Sequence, residues 1–338
     1  MMIVMKADAT EEQIQHVVDR LEETGAHGHV SKGEFVTIVG AIGDDEKIKQ
    51  LPLEALPGVD KVLPILKPYK LASRETHPDD TVVTANDRAC GGGMFALIAG
   101  PCSVESEEQY VTAAKQAKEA GASMLRGGAY KPRTSPYSFQ GLGEEGLKIM
   151  ATARQETGLP IVTELMDPRD VETVLKYADV IQIGTRNMQN FLLLSEVGKV
   201  ERPVLLKRGM SAKVEELLMA AEYILKEGNA DVILCERGIR TFETSTRFTL
   251  DLAAIPVIKS QSHLPVVVDP SHAAGKSDLV LPMSLAAVAA GADGLLVEMH
   301  PDPELALCDG SQSIPMADFG AYVAEVRRYV ELAGKQLS

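Results

Sequence analysis

"PVLLKRGMSAKVEELLMAAEYILKEGNADVILCERG", residues 203 to 238, reads as two short apolar runs on either side of one helical stretch. Neither VLL nor VILC alternates with polar residues, as expected of strands buried on both faces. The segment between them, SAKVEELLMAAEYILKEG, spaces its apolar residues at helical intervals and is long enough for a right-handed crossover, which makes the two strands parallel.

The same alternation extends outward in both directions from residue 95 onward. The runs are FALIAGPCS (95–103), SMLRGGAYK (123–131), PIVTELMD (160–167), VIQIGTR (180–186), PVLLKRG (203–209), DVILCERG (231–238), PVVVDPSH (265–272) and GLLVEMH (294–300). Helical segments such as EEQYVTAAKQAKEAG and MSLAAVAAGA lie between them. Eight β-α units in one stretch imply a (β/α)8 TIM barrel before they imply an open sheet. TVVTANDRAC (81–90), just ahead of the first run, is expected as an extra strand closing the barrel bottom.

Residues 1–66 follow a different rhythm. MMIVMKA reads as a strand and TEEQIQHVVDRLEETG as an amphipathic helix with Thr10 as N-cap and Gln13 at the capping-box position. HGHVS and EFVTIVGAI read as strands, DDEKIKQLPL as a short helix and VDKVLPIL as a last strand. This β-α-β-β-α-β order is the ferredoxin-like α+β pattern. KPYKLASRETHPDD is polar, holds two prolines and lacks periodicity, so a linker is expected at 67–80, with the barrel spanning 81–338.

The chain has 48 acidic and 34 basic residues, a formal net charge of −14. That balance argues against nucleic acid or an anionic membrane surface as partner. No apolar run reaches the roughly 18 residues of a membrane span, and the N-terminus lacks a basic region followed by an apolar core, so a cytoplasmic protein is expected. Four cysteines are scattered without a CxxC pair, which favours reduced thiols. Against this acidic background, residues 126–143 contain no Asp or Glu but do contain Arg126, Lys131 and Arg133.

In a (β/α)8 barrel the chemistry lies at the C-terminal strand ends. Those ends carry Cys102, Arg126, Lys131, Glu164, Asp167, Arg186, Lys207, Arg208, Glu236, Arg237, Asp269, His272, Glu298 and His300. Cys102, His272, Glu298 and, beyond the last strand, Asp309 are metal-ligand types on strands that become neighbours when the barrel closes. A thiolate, an imidazole and two carboxylates suit a divalent transition metal better than magnesium or calcium. Cys90 and Cys235 read as buried core thiols, and Cys308, beside Asp309, stays open. Five cations (Arg126, Lys131, Arg186, Lys207 and Arg237) exceed what Glu164, Asp167 and Glu236 would neutralise. The surplus asks for phosphate or carboxylate ligands. Arg133, Thr134 and Ser135 extend the charge toward a second phosphate.

These stretches resemble the 3-deoxy-D-arabino-heptulosonate 7-phosphate (DAHP) synthases that open the shikimate pathway, in the form related to 3-deoxy-octulosonate 8-phosphate synthase. AGPCSVES, LRGGAYKPRTSPYSFQGLG, IQIGTRNMQN, LLKRG, ILCERGIRTFE, VDPSHAAG and VEMHPDPELALCDGSQS carry the resemblance. It implies a metal (manganese, iron, cobalt or zinc) on Cys102, His272, Glu298 and Asp309. It implies phosphoenolpyruvate on Arg126, Lys131, Arg186, Lys207 and Arg237 with the backbone of Thr185, which stands where alanine is usual. It implies erythrose 4-phosphate on Lys131, Pro132, Arg133, Thr134 and Ser135. Lys131 is expected as the acid in an aldol-like condensation, with a pKa lowered by its cationic neighbours. The small domain resembles that of the feedback-regulated subgroup, so tyrosine or phenylalanine is expected on His29 and Ser31, in a homotetramer. Two alternatives stay open: an octulosonate synthase using arabinose 5-phosphate, against which KPRTS and the N-terminal domain count, and a Schiff-base aldolase on Lys131 or Lys207, which leaves the Cys, His, Glu and Asp set without a role.

Overall fold

Thr10 starts the first helix by the capping box that TEEQ suggests. Its hydroxyl accepts from the Gln13 N–H at 3.3 Å, and Gln13 Oε1 accepts from the Thr10 N–H at 3.0 Å. The computed structural model describes residues 1–33, 35–64, 67–133 and 135–338. Glu34, Ile65 and Leu66, which fall within two of the expected strands, and Thr134 lie outside the described residues. The chain divides into two units, Met1–Pro68 and Tyr69–Ser338.

The first unit runs β1 (Met2–Met5), α1 (Glu11–Glu22), β2 (His27–Lys32), β3 (Thr37–Ile42), α2 (Asp45–Lys49) and β4 (Val59–Leu63). Its antiparallel sheet has the order β2-β3-β1-β4. Ile3, Met5, Val39 and Ala41 pack under Ile14, Val17, Val18 and Leu21 of α1 and Ile48 of α2. The opposite face of the sheet is left to the alternate residues.

The second unit opens with a hairpin, β5 (Val83–Ala85) and β6 (Arg88–Cys90), where one strand is expected; Asn86 turns it at φ 53°. Eight parallel strands follow: β7 (Met94–Gly100), β8 (Met124–Arg126), β9 (Ile161–Glu164), β10 (Val180–Ile183), β11 (Val204–Lys207), β12 (Val232–Glu236), β13 (Val266–Val268) and β14 (Gly294–His300). Pairing of β14 with β7 closes the barrel. The helices between the strands include α3 (Glu107–Ala120), α4 (Glu144–Thr157), the short α5 (Val171–Leu175), α6 (Phe191–Gly198), α7 (Val214–Lys226), α8 (Ala254–Gln261), the short α9 (Pro270–Ala274) and α10 (Val280–Ala289), with α11 (Met316–Leu332) after the last strand.

Successive residues of each barrel strand enter two different cores. Phe95, Leu97, Leu125, Ile161, Leu206, Leu234, Val268 and Val297 meet the helices. Ile98, Met124, Val162, Val180, Leu205, Cys235, Val267 and Leu296 fill the barrel interior, which Val83, Ala85 and Cys90 of the hairpin share. Both faces are apolar, which is why the runs show no alternation in sequence.

The segment expected as a linker belongs to the second unit from Tyr69 onward. Tyr69, Ala72 and Ser73 are buried. Glu222 of α7 accepts from the backbone N–H groups of Lys70, Leu71 and Ala72, each at 2.9 Å. His263 Nε2 lies 2.7 Å from the Leu71 carbonyl oxygen, and its Nδ1 lies 2.6 Å from Thr81 Oγ1. The polar composition that suggests a free connector instead supplies groups that bond to the barrel wall.

Candidate active site

The interior set of each strand decides which charges reach the barrel mouth. Arg126, Glu164, Gln182, Lys207, Arg237, Asp269 and Glu298 each follow an interior residue by two positions and keep its inward direction. Their chain neighbours face away. Arg208 Nη1 donates to Glu236 Oε2 at 2.7 Å and to Asp251 Oδ2 at 2.9 Å, closing a buried ion network outside the site. Asp167 pairs with the exposed Arg169 at 2.5 Å. His300 lies 3.5 Å from Glu105. Of the three acids expected to balance the cations, only Glu164 enters. Gly184 makes room for it, since a Cβ there would lie 1.9 Å from Glu164 Oε1.

A cavity of about 460 Å³ occupies the mouth. The expected Arg126, Lys131, Arg133, Arg186, Lys207 and Arg237 line it, and so do Arg240 and Arg247, which spacing along the strands did not reveal because both sit in the long loop after β12. Pro132, Ser135 and Thr185 also line it, whereas Thr134 is outside the described residues. Among the described residues, eight cations line the cavity against two carboxylates, Glu164 and Asp309.

The cations differ in how far they are already compensated. Arg126 Nη1 donates to Glu298 Oε1 at 2.7 Å and to the Pro101 carbonyl at 2.8 Å. Lys207 Nζ donates to Asp269 Oδ2 at 2.5 Å. Arg237 is 4% exposed, lies 3.9 Å above the Phe248 ring and, among the described residues, has no carboxylate within ion-pair distance. Burial lowers its pKa. A buried, uncompensated guanidinium favours an anionic ligand. Lys131 corrects the expectation of a lowered pKa. Burial does act to lower it, but the adjoining Cys102 raises it, and the net direction is up. Its Nζ donates to the Cys102 carbonyl at 3.0 Å and to Cys102 Sγ at 3.1 Å.

Cys102, His272, Glu298 and Asp309 converge beside this cavity, with one donor atom from each lying within 4.8 Å of the others. Cys102 and Glu298 are each 1% exposed. Asp309 adopts φ 51°, a left-handed conformation uncommon outside glycine. Asp269 Oδ2 sits 2.7 Å from His272 Nδ1, which leaves Nε2 with its lone pair toward Glu298 Oε1 at 3.4 Å. Burial works against the Asp269 carboxylate, yet His272 and Lys207 hold it well below the usual range. Burial lowers His272 as well, keeping the imidazole neutral and able to ligate. The Cys102 thiol is pushed up by its hydrogen bond with Cys308 and by burial, and it donates to Asp309 Oδ2 at 3.3 Å. Cys308, open in sequence, is drawn down to about 6 by that bond with Cys102 and accepts from Arg133 Nη1. One soft donor, one imidazole and two carboxylates, with a carboxylate behind the imidazole, fit a divalent transition metal.

His29 and Ser31 lie in the first unit, on edge strand β2. They register with Gly40 and Ile38 on the sheet face opposite the helices, and both are exposed.

Residues 80–332 match the DAHP synthetase I family, and residues 1–67 match the DAHP synthase ferredoxin-like domain. The chain is 51% identical over 338 residues to phospho-2-dehydro-3-deoxyheptonate aldolase of Thermotoga maritima, covering 100% of both chains. It is 34% identical over 255 residues to 2-dehydro-3-deoxyphosphooctonate aldolase of Syntrophotalea carbinolica, covering 70% of this chain and 91% of that protein. A crystal structure of the Thermotoga DAHP synthase superposes with a TM-score of 0.94 at 50% identity, over 100% of this chain and 99% of the other. A truncated form from the same organism superposes with a TM-score of 0.75 at 48% identity, over 80% of this chain and 99% of the other. The octulosonate relative is thus more distant and shares a smaller part of the chain, while the heptulosonate relative matches it from end to end. The chain belongs to the DAHP synthetase I family, and its barrel carries that family's transferase activity, the joining of phosphoenolpyruvate to erythrose 4-phosphate.

Proposed function

We propose that this condensation depends on a divalent transition metal held by Cys102, His272, Glu298 and Asp309, and that an aromatic amino acid bound to the first unit inhibits it. The observation that carries the catalytic reading is the four-donor cluster beside a cavity with eight cationic and two anionic lining side chains. A metal bound by the cluster supplies Lewis-acid stabilisation of negative charge developing on oxygen. Arg186, Lys207 and Arg237 hold phosphoenolpyruvate through its anionic groups, with Arg126, Lys131 and the Thr185 backbone completing its site. Lys131, Pro132, Arg133, Thr134 and Ser135 hold erythrose 4-phosphate with its aldehyde toward the cluster.

C3 of phosphoenolpyruvate attacks the aldehyde carbon, water adds at C2, and the tetrahedral hemiketal phosphate releases inorganic phosphate. Lys131, kept protonated by its contacts with Cys102, donates to the new alkoxide oxygen. Fixed cations around the phosphate and carboxylate groups hold the reacting carbons in register and exclude bulk water.

His29 and Ser31 would take the effector, tyrosine or phenylalanine, on the exposed sheet face of the first unit, between units of different subunits in a tetramer. The catalytic reading is tested by measuring phosphate release with erythrose 4-phosphate and with arabinose 5-phosphate, before and after chelation. Turnover is expected with erythrose 4-phosphate alone, lost on chelation and restored by manganese or cobalt. Activity that survives chelation, or a lysine adduct trapped by borohydride, would overturn the metal reading in favour of a Schiff base.

A further inference from the structure

A buried amide joins the two carboxylates of the cluster. Gln312 is 1% exposed. Its Nε2 donates to Glu298 Oε2 at 2.6 Å, and its Oε1 accepts from Arg247 Nη1 at 2.8 Å. The same Nη1 donates to Asp309 Oδ1 at 3.1 Å. Chemistry dictates the direction of the amide: an ionised carboxylate only accepts and a guanidinium only donates, so the NH2 faces Glu298 and the oxygen faces Arg247.

Each carboxylate therefore spends one oxygen on this strap and turns the other toward the cluster. Glu298 Oε1 lies 3.4 Å from His272 Nε2. Asp309 Oδ2 lies 4.0 Å from that nitrogen and 3.3 Å from Cys102 Sγ. Three separate parts of the chain supply the strap. Gln312 ends the tight turn Gly310–Gln312 that follows Asp309, Glu298 belongs to β14, and Arg247 comes from the loop after β12. That loop is itself pinned beside His272, because the Arg247 and Phe248 N–H groups donate to the carbonyls of Ala274 and Ala273. Without the strap, Arg126 still holds Glu298 Oε1 and the Cys102 thiol still reaches Asp309 Oδ2, but Glu298 Oε2 and Asp309 Oδ1 lose the donors that fix their direction, and the repulsion between the two carboxylates is less well offset.

We propose that Gln312, anchored by Arg247, is a positioning residue that makes Glu298 and Asp309 present one oxygen each to the metal. The proposal rests on the metal reading above. Replacing Gln312 by Met removes both hydrogen bonds at similar size. Gln312→Glu sets a third carboxylate against Glu298 and reverses the polarity the site requires.

The test is cobalt(II) binding to the full chain, measured by chelator competition, together with the thiolate-to-cobalt absorption band. Wild type should bind with the band present, and Cys102→Ser should lose it. Gln312→Met and Gln312→Glu should lower cobalt affinity about 10- to 100-fold and shift the spectrum, the range typical of residues that orient metal ligands. Arg247→Met should lower it less, and the Gln312→Met, Arg247→Met double variant should fall short of the product of the two single losses. Wild type without cobalt binding overturns the metal site and the strap together. A wild-type band that Cys102→Ser abolishes, with affinity and spectrum unchanged in the Gln312 variants, overturns the strap alone. If those variants fail to fold, Arg247→Met on its surface loop decides, and wild-type cobalt affinity there overturns the proposal.

Discussion

Asp269 Oδ2 lies 2.7 Å from His272 Nδ1. The same oxygen accepts from Lys207 Nζ at 2.5 Å, so one buried carboxylate joins the candidate metal site to a candidate substrate cation. Asp269→Asn keeps the shape and removes the charge. Metal affinity is expected to fall about 10- to 100-fold, because the imidazole loses the partner that orients it. Phosphoenolpyruvate affinity should fall as well, since Lys207 loses its anchor. Calorimetric titration of each ligand checks both effects, and an unchanged pair of affinities would remove Asp269 from this role.

Arg133 lines the cavity in the loop after β8, farther along the chain than Arg126 at the strand end. Arg133→Ala should mainly raise the KM for erythrose 4-phosphate. Loss of a charge-assisted bond to phosphate costs about 1.5 to 3 kcal/mol, or about 10- to 150-fold. Steady-state kinetics varying each substrate separates the sites. A rise confined to phosphoenolpyruvate would reverse the assignment.

The boundary at Pro68 and Tyr69 specifies where the first unit can be removed. A chain starting at Tyr69 is expected to stay active and to lose inhibition by tyrosine. One starting at Thr81 should melt at lower temperature, because it strips the buried Tyr69 and Ala72 and leaves Glu222 without three N–H donors. Thermal melts and assays with and without tyrosine compare the two. Continued inhibition of the Tyr69 chain would put the effector on the barrel.

His263 holds the same segment as a neutral imidazole: Nε2–H donates to the Leu71 carbonyl, which can only accept, and Nδ1 accepts from the Thr81 hydroxyl. Burial first, then His77 and Arg74, lower its pKa against the opposing pull of the Leu71 bond and Asp80. The unfolded chain therefore takes up the proton at higher pH than the folded one. This contribution to stability is present above the ordinary imidazole pKa and is lost as pH falls through it toward the lowered folded value. Melting temperature should drop from about pH 7 to about pH 5, and His263→Gln should flatten the drop. An identical pH profile in the variant would show that His263 carries none of it.

Much of this protein was readable in one dimension. The eight strand cores are apolar on both faces and bounded by helices of crossover length, which leaves few topologies besides a closed parallel barrel. Cys102, His272, Glu298 and Asp309 stand out because metal-ligand types recur where strands end. Thr10 and Gln13 are legible because a capping box is local.

What only the tertiary structure decided is direction. LLKRG and LCERG each place two consecutive charged residues at a strand end, yet Lys207 and Arg237 enter the mouth while Arg208 and Glu236 pair outside it. A strand with polar and apolar faces announces its inward residues by alternation, but Leu205 and Leu206, or Leu234 and Cys235, are apolar alike and sit in different cores. Their sense is set when β14 pairs with β7 and the barrel acquires an inside. Arg247, Phe248 and Gln312 lay beyond reach for a related reason. They come from loops whose path depends on what they pack against, and contacts across such distances in sequence leave no local pattern. The stretch after Pro68 reads as a connector because its polar groups are visible in the sequence, whereas Glu222 and His263, which bind it, lie on the barrel far along the chain.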